Sequence, residues 1–147
     1  MKKRMLRDIE VSELGMGCMA FSHGYGQIPP EKYSIEAIQN TYKHGCSFFD
    51  TAEVYSPNLA GIGHNERIVG KALKEVREKV VIATKLMLHS FSIGSVYKTI
   101  RKHLEGSLDR LQIDYVDACG IIGLNQESPI NTGFERFGPF SLTRKAG

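Results

Sequence analysis

No run approaching eighteen apolar residues occurs in this 147-residue chain, so the sequence offers no membrane-spanning helix. The basic start MKKRMLR leads into the mixed segment RDIEVSEL, not into an apolar stretch. A signal peptide is therefore not expected, and the cytoplasm is the expected compartment. Cysteine is scarce. Cys18, Cys46 and Cys119 lie far apart, form no CxxC pair and have no clustered histidines beside them, so a metal site is not expected and the three read as reduced thiols in or near the core. A predominance of one charge is also missing: 19 Lys and Arg stand against 16 Asp and Glu, a net +3. Beyond the first residues the basic side chains are scattered, short of the dense stripe that nucleic acid requires. What is present is the composition of an ordinary soluble globular domain, 41% hydrophobic and 24% charged, long enough to bury a core.

The order of elements follows from periodicity. The first 12 or so residues read as an irregular or hairpin segment, and ELGMGCMAFS is a short apolar run between glycines, a candidate strand. HGYGQIPPEKY is loop, after which Ser34 opens a helical pattern carried by Ile35, Ile38 and Tyr42 and ended by Gly45. CSFFD reads as a buried strand and YSPNLAGIGHNE as a long loop of the kind that tends to be functional. Asn65 is the expected cap of a helix with the stripe Ile68, Val69, Ala72, Leu73 and Val76, closed by KEVREK. VVIATK is continuously apolar, as strands covered on both faces are. LMLHSFS is loop, Ile100, Leu104, Leu108 and Leu111 mark a third helix, and QIDYVDA begins a fourth strand. Four strands alternating with three helices predict an α/β fold with a parallel sheet and helical crossovers. After Asp117 no period of 3.6 or 2 is sustained, so the expected division is an ordered unit over 1–117 and an irregular tail over 118–147.

In such sheets the loops after the C-terminal strand ends build the ligand site. Asp50 ends CSFFD, Tyr55 lies a few residues into the next loop, and Lys85 ends VVIATK. Taken singly, these are more often a turn former, a rim aromatic and a solvated lysine. Together they suggest chemistry: a carboxylate holding an ammonium beside a phenol would favour phenolate and make the tyrosine a general acid for a carbonyl oxygen. His44, His64, His89 and His103 have no partner evident in the sequence and read as surface histidines, while His23, in SHGYG beside the first strand end, could touch a substrate.

The strings GMGCM, FFDTAEVYS, GHNERIVGKALKEVREKVVIATK and SLDRLQIDYVD, in that order, closely resemble the aldo-keto reductase family over about residues 6 to 117. The resemblance implies the N-terminal half of a (β/α)8 TIM barrel, with about four parallel strands. It also implies NADPH as cofactor, bound without a GxGxxG fingerprint, and reduction of aldehydes and ketones by hydride transfer. Carried over residue by residue, Tyr55 matches the proton donor, Lys85 the residue that tunes it, and Asp50 the carboxylate that pairs with the lysine and lies near the nicotinamide ribose. Gly17, Cys18 and Met19 match the first-strand end that flanks the cofactor. The expected partner is a small-molecule carbonyl substrate.

The resemblance breaks after Asp117. The family's fourth catalytic residue is a histidine five positions after that aspartate, where this chain has Ile122, and the later motifs vanish at the same point. One hypothesis is a lost base in the codon after Asp117: among the readings that codon degeneracy allows, restoring a thymine to a back-translation of ACGIIG gives Cys-Leu-Trp-His-His-Arg, with histidine at position 122, and the alternative is an authentic divergent tail. If sequencing of the gene found no family-like frame downstream, that hypothesis would fail. A (β/α)8 barrel takes about 250 residues, so the chain is expected to bind NADPH weakly and to be inactive alone, with open sheet edges inviting self-association. The alternative is a non-catalytic half-barrel acting as a dimerising interaction or regulatory module.

Overall fold

A computed structural model describes residues 1–24, 26–58, 61–87 and 96–122 of the chain. Strands β1 (Lys3–Leu6) and β2 (Ile9–Ser12) form an antiparallel hairpin from Lys3↔Ser12 to Leu6↔Ile9, with Arg7 in the left-handed region at the turn. The hairpin stands apart from a second sheet of β3 (Met16–Gly17), β4 (Phe48–Asp50), β5 (Val81–Met87) and β6 (Ala118–Ile122), in that spatial order and parallel throughout. Helix α1 (Glu31–Lys43) joins β3 to β4, α2 (His64–Leu73) joins β4 to β5, and α3 (Val96–Leu111) joins β5 to β6. The expected alternation is present as a partial (β/α) barrel.

The apolar periodicities set the packing. Ile38 of α1, Ile68, Val69 and Leu73 of α2, and Leu111 of α3 close over Phe49 and Ile82 of the sheet in one core, and all seven are essentially inaccessible to solvent. Helices α1 and α2 pack side by side, as do α2 and α3. The approach of α2 to the end of α3 depends on Gly70, since a Cβ there would run into the Leu111 carbonyl. Gly45, at φ 94°, ends α1 as its position predicts.

Several boundaries differ from the sequence expectation, each for a local reason. The candidate first strand contracts to Met16–Gly17, and the chain turns at once through a 3-10 turn at Met19–Phe21. Helix α1 starts at Glu31, ahead of Ser34. Pro30 is extended and contributes no N–H, so it suits the boundary, and the acidic Glu31 complements the helix N-terminus. Asn65 does not cap α2. Gly63, at φ 75°, holds that place, and the Asn65 side chain turns into the interior. KEVREK forms a 3-10 turn over Lys74–Lys79. Residues 113–117 are a connector ahead of β6, not the start of the strand. Arg77 clamps that connector: Nη2 reaches Asp117 Oδ2 at 2.8 Å, the guanidinium lies 4.0 Å from the centre of the Tyr115 ring, and Asp117 Oδ2 accepts the Ile82 N–H at 2.8 Å. Strand β6 therefore follows Asp117, and the rest of the expected tail, residues 123–147, lies outside the described residues, as does His89.

Candidate functional site

Parallel registration brings the polar strand ends together. Gly17 pairs with Asp50 and Asp50 with Ala83, so the last residues of β3 and β4 and the middle of β5 lie side by side. Lys85, two residues beyond Ala83, points to the same face of β5. Its Nζ donates to Asp50 Oδ1 at 2.5 Å and to the Thr51 carbonyl at 2.8 Å. The same ammonium lies 5.3 Å from the centre of the Tyr55 ring. The three residues singled out in the sequence thus form one cluster. The Lys85 and Asp50 side chains are 21% and 30% exposed, which leaves the pair open to a ligand. An ion pair at that exposure adds about 1 kcal/mol or less to stability, so its placement is not explained by folding energy.

The corner after β3 lies against this cluster. Cys18 N–H donates to the Asp50 carbonyl at 2.8 Å, continuing the ladder for one more bond. The Cys18 thiol is wholly buried and is pushed up to about 12, by burial first and by the Asp50 carboxylate second, so it stays protonated. It is thus a packing group here and not a nucleophile. Gly17 is exposed, and a Cβ on it would meet nothing within 4 Å. Met19 begins the 3-10 turn and is half-buried. A concave cavity of about 410 Å³ runs from the hairpin, at Met5 and Val11, past Phe48 to Gly17 and Asp50. The site therefore has open space beside its carboxylate, against the small residue at the end of β3.

A second, buried layer supports the loop that carries Tyr55, and its roles were not read from the sequence. Glu53 is 5% exposed and Glu66 fully buried. Arg110 of α3 spans both: Nε donates to Glu66 Oε2 at 2.6 Å and Nη2 to Glu53 Oε1 at 3.2 Å. Glu66 also accepts from Thr84 Oγ1 at 2.7 Å, and Glu53 from the Met87 N–H at 3.1 Å. His103 Nδ1 lies 2.8 Å from Glu53 Oε2, which corrects its reading as an unpartnered surface histidine. His64 is corrected likewise, with Nδ1 at 2.8 Å from Ser22 Oγ, while His44 is exposed and bonds its own helix at the Asn40 carbonyl. His23 is exposed, beside the corner, with its N–H on the Met19 carbonyl. The one available signal was the placement of Asn65 and Glu66 next to an apolar helical stripe, where buried polar groups must find partners. Ile122, opposite Met87 at the end of β6, occupies the position where the family resemblance implies histidine.

Among the described residues no group of His, Cys, Asp or Glu is arranged to hold a metal ion, and no helix is long and apolar enough to cross a membrane.

Residues 13–122 match the profile of the Aldo/keto reductase family. A protein of Glycine max named "Probable aldo-keto reductase 1" is 40% identical over 114 residues, which cover 74% of this chain and 32% of that protein. Among solved structures, an aldo-keto reductase from Bacillus halodurans in its holo form superimposes with a TM-score of 0.70 at 33% identity, covering 90% of this chain and 43% of the other. An aldo/keto reductase from Klebsiella pneumoniae in complex with NADP and acetate gives 0.59 at 27% identity, covering 75% and 35%. The chain spans about a third of the length of the curated relatives it matches.

Proposed function

This chain belongs to the aldo-keto reductase family, and on that premise we propose that it carries the N-terminal half of an NADPH-dependent carbonyl-reducing site. The observation that supports this reading most directly is the cluster in which one ammonium, Lys85, meets both the Asp50 carboxylate and the Tyr55 ring. Gly17, Met19 and Asp50 are the residues that would flank the cofactor, with the buried Cys18 behind them, and the space over Gly17 and beside Asp50 leaves room on that side for part of such a group. When bound, the nicotinamide supplies the hydride equivalent that a carbonyl carbon accepts. The chain's own part is electrostatic and geometric. Tyr55 gives its phenolic proton to the carbonyl oxygen, which leaves as an alcohol. Lys85 offsets the negative charge left on the phenol, and Asp50 fixes the lysine so that its charge faces the reaction. The burial of Cys18 keeps a competing thiolate out of the site.

With isoleucine at position 122, residues 1–122 by themselves are expected not to turn over. The test is a chimera in which residues 13–117 replace the matching segment of the Glycine max relative, which then supplies everything downstream. It is expected to oxidise NADPH with an aldehyde panel and to lose roughly 100-fold or more of that activity on Tyr55→Phe, the scale of general acid catalysis. A folded chimera without activity, or one indifferent to Tyr55→Phe, would refute the assignment. Ile122 favours a second reading, a half-barrel that binds and does not react. A single symmetric dimer in size-exclusion chromatography with light scattering supports that reading, and a monomer argues against it.

A further inference from the structure

Asn65 is fully buried inside α2, and its hydrogen bonds all lead to the framework of the candidate site. Nδ2 donates to the Cys18 carbonyl and to Ser22 Oγ, both at 2.8 Å, while Oδ1 accepts from Thr51 Oγ1 at 2.7 Å. Its main-chain N–H donates to the Tyr55 carbonyl at 3.1 Å. The orientation of the amide is fixed by chemistry: a carbonyl only accepts, so Nδ2 must face Cys18, and Oδ1 is left for the threonine hydroxyl. One residue therefore ties the corner after β3, the end of β4 beside Asp50, and the loop that holds Tyr55. An asparagine serving only its helix would sit at the cap, and Gly63 occupies that place.

We propose that Asn65 is a positioning residue: by holding the Cys18 carbonyl, Thr51 and the Tyr55 carbonyl at once, it fixes the Tyr55 ring against the Lys85 ammonium. The inference rests on the reading of Tyr55 as proton donor for its functional meaning, but the geometry it asserts is measurable without turnover. Thr51 contributes from both sides of this arrangement, because its carbonyl accepts from Lys85 while its hydroxyl donates to Asn65. Loss of the amide keeps the main-chain bond to the Tyr55 carbonyl and the Glu53 bonds to β5, but uncouples the start of α2 from Cys18 and Thr51, so that the Tyr55 end of the loop loosens against the lysine.

The experiment uses this chain with ¹³C-labelled tyrosine, the Tyr55 ring signals being identified by their loss in Tyr55→Phe. In the parent chain Lys85→Met should shift those signals. In an Asn65→Ala background the Tyr55 signals should already be displaced, and Lys85→Met should shift them less than half as far. Val69→Ala, a buried change on the same helix whose loss of stability is measured in parallel, should leave the Tyr55 response to Lys85→Met intact. Asn65→Ser keeps one donor and one acceptor and should recover part of the response; it also serves where Asn65→Ala does not fold. A full Lys85→Met shift in the Asn65 variants, or an equal disturbance from Val69→Ala, would overturn the proposal. An inactive chimera would count against the proposed reaction and leave this result standing.

Discussion

Lys85 stands two residues past Ala83, the partner of Asp50 across β4 and β5, and its ammonium closes the diagonal to the Asp50 carboxylate at 2.5 Å. Diagonal neighbours on one face of a sheet are about 7–8 Å apart, a span that a lysine crosses and a shorter side chain does not. The pairing therefore follows from parallel register and side-chain length, and it delivers a positive charge to the point where the loop after β4 brings Tyr55.

In the chimera described above, Lys85→Met should lower kcat by roughly 100-fold or more, in line with loss of support for a general acid. The same substitution should change unfolding free energy by about 1 kcal/mol or less, because the pair is partly exposed. Steady-state assays beside urea denaturation check both halves. A stability loss as large as the activity loss would make the pair structural.

Glu66→Gln should be costly for a different reason. It leaves the mostly buried Arg110 guanidinium without its nearest carboxylate, a change worth roughly 3–5 kcal/mol. The double change Glu66→Gln with Arg110→Met should cost less than the sum of the single changes, since the residues share one network. Denaturant titrations of the three variants form the cycle that measures the coupling.

Two glycines are expected to resist alanine. At Gly63 the backbone is left-handed and a Cβ would enter the Arg110 side chain, while at Gly70 it would strike the Leu111 backbone carbonyl. Each substitution should cost roughly 1–3 kcal/mol through overpacking, with Gly70→Ala the worse because backbone yields less than a side chain. Thermal melts of Gly63→Ala and Gly70→Ala would test the ranking.

Stability should fall as pH rises above about 9. The Cys18 and Cys119 thiols are each pushed from 9.0 up to about 12, burial being the first cause in both, with Asp50 next for Cys18 and Glu66 next for Cys119. Between those values the unfolded chain loses protons that the folded chain keeps, so the slope of unfolding free energy with pH is negative, up to about 1.4 kcal/mol per unit for each thiol. Cys18→Ala should flatten the slope measured between pH 9 and 11. An unchanged slope would show that this thiol does not contribute.

The sequence disclosed the layers of this fold more readily than its polar interior. Ile38, Ile68, Val69, Leu73 and Leu111 sit where helical periodicity predicts, and Phe49 and Ile82 where buried strands predict, because apolar spacing is a direct consequence of helix and strand geometry. Asp50, Tyr55 and Lys85 were legible as strand-end polar residues. The positions of Asn65, Glu53 and Arg110 were not, because partners such as Ser22 for Asn65 and Glu53 for Arg110 lie 43 and 57 residues away in sequence and are decided by how helices pack on the sheet. Capping offered a local explanation for Asn65, but Gly63 with its positive φ displaced that local rule, and burial of the amide prevailed.

Ser12 and Ser47 exchange hydrogen bonds, each main-chain N–H donating to the other's hydroxyl oxygen, at 2.9 and 2.8 Å. The hairpin's own pairing is local, between residues 3 and 12, whereas this fastening spans 35 residues and encloses all of α1. Local pairing closes short loops, and the fastening must wait until β4 is in place. The hairpin should thus form early and dock late. In native-state hydrogen exchange, the Ser12 and Ser47 amides should open together, ahead of the amides that join β4 to β5.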